Sequence, residues 1–227
     1  MSRTLVDDRW ASLNSPVASV STRSKYGVGV RALDLTVALL VLLLFGPLML
    51  LIAAMILIVN GAPIFYVHPR RGRDGKLFPC LKFRTMKTNS DAQLRQLLET
   101  CGVSRAEWDR DRKLRKDPRI ISGGAFLRRM SFDELPQLLN VVRGEMSIVG
   151  PRPIVDEEIS RYGRYYSAYC SVKPGLTGLW QISGRNNVSY RRRVACDVLY
   201  ARRKSTANDL RIISCTIPVV LMSNGAY

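Results

Sequence analysis

The chain has 227 residues, enough for one domain with appendages. Its 35 Lys and Arg against 18 acidic residues give a net charge of +17, which calls for a polyanionic partner: nucleic acid, anionic lipid headgroups or phosphorylated substrates. A lone histidine, His68, excludes a histidine-based triad or a multi-histidine metal site, and five cysteines without a CxxC pair (Cys80, Cys101, Cys170, Cys196, Cys215) argue for reduced thiols over a disulfide framework.

Residues 1–30 are rich in Ser, Thr and Val and lack periodicity, so they read as a mobile arm on the cytoplasmic face, too polar for a signal peptide. From Leu35 to Val59 the chain runs 25 residues without a charge. As one helix at 1.5 Å per residue this reaches about 37 Å, against a bilayer core of about 30 Å, which fits a transmembrane anchor. Two features favour a re-entrant hairpin over residues 31–60 instead. Gly46-Pro47 sits mid-run, where proline removes a backbone donor and bends a helix. Both flanks are also basic, with Arg23, Lys25 and Arg31 before and Arg70, Arg71 and Arg73 after. The positive-inside rule wants both on the cytoplasmic side, which a straight span cannot satisfy.

Residues 62–88 read as a β-hairpin turning at Arg73-Asp74-Gly75. Lys82, Arg84 and Lys87 then cluster, as a phosphate-binding strand or a solvated basic edge. Leu94, Leu97, Leu98 and Cys101 follow helical spacing, so 89–101 is an amphipathic helix, packed on the core or lying in the lipid interface, with Asn89, Ser90 or Asp91 as cap. Residues 104–118 are dense in charge, with Trp108 a candidate interfacial anchor. Gly123-Gly124 marks a turn or helix start. A buried strand is expected over Met146–Gly150, partial helix over 154–170, and a turn at Lys173-Pro174-Gly175 with strand then loop after it. A basic helix follows over 189–205, then an apolar segment, Leu210–Leu221, too short to span.

The centre of the chain is Ser131-Phe132-Asp133-Glu134-Leu135-Pro136-Gln137. Ser131-x-x-Glu134 fits a capping box, but that frame puts Pro136 inside the helix. Asp133 as N-cap of a Leu135–Val142 helix avoids the conflict, and capping alone would explain it. The same geometry serves chemistry. A helix N-terminus attracts phosphate, and a carboxylate beside that phosphate can attack it to form an acyl-phosphate. The crowded negative charge then needs a divalent cation, with hard oxygen ligands favouring Mg²⁺. Arg128, five residues before Asp133, and Arg152, nineteen after, supply guanidinium forks for phosphate.

From about Arg31 to the C-terminus the sequence resembles the bacterial sugar transferase family, small monotopic phosphoglycosyl transferases. The resemblance rests on the proline-broken apolar run, Lys82-Phe83-Arg84-Thr85-Met86, Asp117-Pro118-Arg119-Ile120, the Ser131–Gln137 stretch, Gly144–Pro153, Lys173–Gly178, Trp180–Arg185 and Ile217–Leu221. The Gly225-Ala226-Tyr227 ending is similar to undecaprenyl-phosphate galactose phosphotransferases. Three positions depart from the family pattern: His68-Pro69 replace a Gln and a Glu, Gly46 stands where Ser is frequent before Pro47, and no aromatic precedes Asp209.

The resemblance implies transfer of a hexose-1-phosphate, galactose or glucose, from a UDP-sugar to undecaprenyl phosphate with release of UMP, the first membrane step of exopolysaccharide synthesis. It makes Asp133 the nucleophile that takes up the phospho-sugar, and Asp133 with Glu134 the holders of Mg²⁺. Lys82, Arg84, Arg128, Arg152 and Arg185 become phosphate ligands, while Asp209 matches an acidic position without a stated role. The expected fold is α+β and mostly helical: an arm over 1–30, a membrane hairpin broken at Gly46-Pro47 over 31–60, and a catalytic domain over 61–227 with a small β-hairpin and interfacial amphipathic helices. The expected location is the bacterial inner membrane, with the catalytic domain on the cytoplasmic face among membrane lipids; a homodimer is left open. Two other readings compete: a non-catalytic basic adaptor binding anionic lipid or nucleic acid, and direct attack of the prenyl phosphate on the nucleotide sugar. No helix-turn-helix, zinc or RNP-like pattern is present, so no nucleic-acid partner is expected.

Overall fold

The computed structural model describes residues 27–111, 114, 117–183 and 188–221. The arm expected over 1–30 lies outside these apart from residues 27–30, and Arg185 lies outside them too. Among the described residues the fold is α+β and mostly helical, with two small two-stranded sheets and one long apolar helix, α1, Val28–Asn60. Helix α1 begins before the apolar run and carries Pro47 within it, so the secondary structure is continuous through Gly46-Pro47. Arg31 and Asp34 are its charged residues.

The elements after α1 follow the local chemistry closely. Strands β1 (Phe65–Arg71) and β2 (Leu77–Phe83) form the expected hairpin. Its turn at Arg73–Gly75 uses Asp74 at φ 59°, left-handed backbone that an Asp-Gly pair tolerates. Helix α2 (Ser90–Thr100) matches the amphipathic prediction, although Asn89 makes no side-chain capping bond. The charge-dense stretch after it is helical as well, as α3 (Gly102–Asp111), where no apolar stripe had announced a helix. Trp108 packs under the Arg119 guanidinium at 5.2 Å, and Arg119 is itself paired with Asp117 at 2.6 Å. Helix α4 (Gly124–Arg129) starts at the glycine pair, with Gly123 at φ 77°.

Residues Phe132–Glu134 then form a 3-10 turn, and α5 covers Gln137–Arg143. Neither capping frame is used. Ser131 sits at φ 58° without a side-chain cap, and Asp133 lies in the 3-10 turn before Pro136 rather than at the start of α5. Strand β3 (Ser147–Val149) pairs in parallel with β4 (Gly175–Thr177), Ser147 opposite Gly175 and Val149 opposite Thr177. A Cβ at Gly150 would overlap the Lys173 carbonyl, so glycine is what lets the two backbones meet. Short helices α6 (Ile159–Tyr162) and α7 (Tyr166–Cys170) come between these strands in the sequence. The loop expected after β4 is instead a short helix, α8 (Leu179–Ile182). Helix α9 (Tyr190–Arg203) is capped by Ser189, whose side-chain oxygen accepts the Arg192 N–H at 3.3 Å, and α10 (Thr206–Leu221) closes the described chain.

The described residues form two compact units. One holds the chain up to Leu42, Pro69–Cys80 and the chain from Gln137 onward. Its core gathers Ile154, Tyr162, Ala168, Tyr169, Val194, Ala195 and Val198. The other holds Leu43–His68 and Leu81–Pro136, around Ile52, Ile56, Phe83, Ile121 and Leu127.

Candidate active site

The acid pair belongs to the second unit. Phe132 and Leu135, one on each side of it, pack against the cluster of Ile52, Ile56, Phe83, Ile121 and Leu127. With the flanking side chains committed to the core, the turn directs Asp133 and Glu134 toward Lys82 at the end of β2. The Lys82 ammonium donates to Glu134 Oε1 at 2.6 Å and stands 4.0 Å from Asp133 Oδ2. The left-handed Ser131 that makes this turn costs on the order of 1 kcal/mol for a residue other than glycine.

Asp133 is 8 % exposed, whereas the Glu134 side chain is 38 % exposed. Burial pushes the Asp133 carboxyl up to about 6, with the neighbouring Glu134 charge adding to the rise. Lys82 and Arg128 oppose it. The group is therefore largely ionised at neutral pH and more basic than a solvent-exposed aspartate. Arg128 is held on α4 by donating from Nε to Thr85 Oγ1 at 2.9 Å. Thr85 stands in the Lys82–Met86 motif of the sequence without a role, because nothing in the local pattern shows that it holds Arg128.

The other predicted residues are placed differently. Arg84 is buried and donates through one terminal nitrogen to the Asn60 and Gly61 carbonyls, at the C-terminal end of α1. Arg152 belongs to the first unit, in the loop after β3, half-buried and close enough to Arg70 that their charges repel. Burial, then Arg152, holds the Arg70 guanidinium below its ordinary value. Arg70 already has an anion, the Glu158 carboxylate at 3.7 Å, and it donates to the Pro153 carbonyl at 3.2 Å. Asp209 has a structural setting. It accepts from Lys204 at 2.8 Å and from the Tyr200 hydroxyl at 2.8 Å. That hydroxyl is also 2.6 Å from the Val149 carbonyl, so the group braces β3 just ahead of Pro151-Arg152.

Asp133 and Glu134 offer hard oxygen donors, and the close Lys82 ammonium shows that they attract a cation. No group of three or more His, Cys, Asp or Glu side chains suited to a metal occurs among the described residues. Two carboxylates suit Mg²⁺ when substrate phosphates and water complete its shell, so the donor set fits a metal shared with substrate better than an all-protein cage.

A buried aspartate beside a part-exposed glutamate, backed by cations, suits a transferase that handles phosphorylated substrates. More narrowly, the chain belongs to the bacterial sugar transferase family, whose model matches residues 26–223. It is 48 % identical to the exopolysaccharide production protein ExoY of Sinorhizobium fredii, over 88 % of this chain and 89 % of that one. It is 52 % identical to the UDP-galactose-lipid carrier transferase of Erwinia amylovora and 47 % identical to the undecaprenyl-phosphate galactose phosphotransferase of Salmonella typhimurium. Both matches cover 87 % of this chain and 41 % of the relative, so the chain spans less than half the length of these two.

Proposed function

We propose that this chain moves a hexose-1-phosphate, galactose or glucose, from a UDP-sugar to undecaprenyl phosphate, in the first membrane step of exopolysaccharide synthesis. The names of the similar proteins support the donor, the lipid carrier and galactose. The observation that carries the chemistry is Asp133: buried, raised to about 6, and held by Lys82 at the long distance of 4.0 Å. A carboxylate in that state is charged at neutral pH, more nucleophilic than a free one, and not tied up in a short ion pair.

The reaction then proceeds in two displacements. An Asp133 carboxylate oxygen attacks the phosphorus that bears the sugar, and the bond to the UMP oxygen breaks, leaving an aspartyl phospho-sugar and free UMP. A phosphate oxygen of the prenyl carrier next attacks that phosphorus and releases the Asp133 carboxylate, giving a prenyl diphosphate sugar. Lys82 and Arg128 steady the phosphate charge in both steps. Glu134, with Asp133, would hold Mg²⁺, which when bound neutralises the donor diphosphate. Arg84 acts at one remove, fastening the end of α1. The test is UMP release by the purified protein across a panel of UDP-sugars with undecaprenyl phosphate. UDP-galactose should serve best, EDTA should abolish release and Mg²⁺ should restore it. Undiminished release in chelator would remove the metal role from Glu134.

The membrane reading is a re-entrant α1, with both ends on the cytoplasmic side of the bacterial inner membrane. The contacts of Arg31 support it. Arg31, near the start of α1, donates to the Val141 and Val142 carbonyls at 2.7 Å each. Between the end of α1 and Val142, no other helix among the described residues is long and apolar enough to cross a bilayer. Val142 therefore stays on the side where α1 ends, and Arg31 is bonded to it. The exposed apolar residues of α1 lie on both sides of the proline, from Leu39 to Val59. Labelling of a cysteine placed at Leu5 from outside intact cells would overturn this topology.

A further inference from the structure

Apart from Arg31 and Asp34, α1 carries no charge, and both charged side chains point into protein. Aspartate is a poor residue for a helix interior, and burying its charge is costly unless hydrogen bonds compensate. Here they do. Asp34 is 2 % exposed, its oxygens lie 2.8 and 2.9 Å from the Ser147 hydroxyl, and Oδ1 accepts the Ile148 N–H at 2.8 Å. Lys173 and Lys204 are near enough for Asp34 to stabilise their charge. Val30, Asp34 and Ala38, one turn apart, are all buried and make a single docked face. Arg31, beside that face, fills the carbonyls at the C-terminal end of α5.

These bonds grip one particular stretch of chain. Helix α5 begins three residues after Glu134, and β3 ends three residues before Arg152. The two side chains thus fasten the membrane helix to the segment that links the acid pair to Arg152. We infer that Arg31 and Asp34 are positioning residues, a polar clasp that sets the depth of α1 in the bilayer so that a lipid-embedded prenyl phosphate reaches the transfer site. The clasp rests on the two-step reaction proposed above. It acts on the second displacement, whose acceptor lies in lipid, and not on the first, whose donor arrives from water.

The experiment uses the full chain in vesicles and reads the two displacements separately: UMP burst with UDP-galactose alone, then sugar transfer to undecaprenyl phosphate in the bilayer. For Asp34→Ala and Arg31→Ala the burst should stay within about threefold of the parent while transfer to the bilayer acceptor falls about tenfold or more. A short-chain, water-soluble prenyl phosphate should restore most of the transfer. Asp34→Asn, whose amide oxygen still accepts the Ile148 N–H, should fall in between. Asp197→Asn, which alters a buried carboxylate bonded to Tyr162 and outside the clasp, should depress both steps alike if it depresses either. Should Asp34→Ala fail to accumulate in membranes, Ser147→Ala, which keeps the Ile148 bond, is read by the same criteria. Equal loss of both displacements, or loss of neither, overturns the clasp. A parent enzyme that gives no burst overturns the two-step reaction itself, and that outcome is distinct because it does not depend on the variants.

Discussion

Two buried aspartates, one in each unit, show how differently the same side chain can be used. Asp209 is saturated: Lys204 at 2.8 Å and Tyr200 at 2.8 Å meet its two oxygens, and the group braces the Val149 carbonyl. Asp133 is also buried, at 8 % exposed against 1 % for Asp209, yet the Lys82 ammonium stands at 4.0 Å from it and prefers the neighbouring Glu134. Burial raises both carboxyls. A saturated buried charge fixes one arrangement of its neighbours; one held loosely retains reactivity. The contrast teaches that partner distance, more than burial, separates the structural acid from the chemical one.

The largest effect expected from breaking this contrast is loss of transfer by about 10⁴-fold or more in Asp133→Asn, measured as UMP release. The same variant should not unfold. The Asp133 carboxyl sits near 6 when folded against 3.8 as an ordinary aspartate, so its contribution to stability is present in acid and lost as pH rises through about 6. Removing the charge should therefore leave stability unchanged or raise it by about 2 kcal/mol at pH 8, read by denaturant unfolding in detergent. Asp209→Ala is the mirror image. Removing the Asp209 counter-charge from the buried Lys204 should cost about 3–5 kcal/mol of stability, with activity falling only as folded protein is lost. Between these lies the pH profile. The chemical step needs ionised Asp133, so its rate should fall roughly tenfold per unit below about pH 6, and Lys82→Met should move that limb to higher pH because Lys82 favours the charged form. The smallest change is Thr85→Val, which frees Arg128 from its 2.9 Å bond and should cost about 1 kcal/mol of transition-state stabilisation, a fewfold loss in kcat/KM.

Much of this fold was legible in the sequence because its signals are local. The Asp-Gly turn, the glycine pair before α4 and the stripe of Leu94, Leu97 and Leu98 each act within a few residues, and each appears where expected. Helix α3 was not legible, since its charged surface has no apolar periodicity to read. The start of α5 was misplaced because two capping patterns overlap at Ser131–Glu134 and a left-handed Ser131 displaced both. In the site, the acid pair and Lys82 were found by residue type and order. The use of Arg84 on the end of α1, of Arg70 beside Arg152, and of Asp34 on Ser147 depends on contacts between residues 24 to 113 positions apart, which no sequence window contains.

The most direct measurement is mass spectrometry of the protein after incubation with UDP-galactose and Mg²⁺ but no acceptor. A hexose-phosphate adduct should appear on the peptide bearing Asp133, disappear when undecaprenyl phosphate is added, and be absent from Asp133→Asn. Complete turnover with acceptor but no adduct without it, or an adduct on any other side chain, would contradict the assignment of Asp133 as the nucleophile.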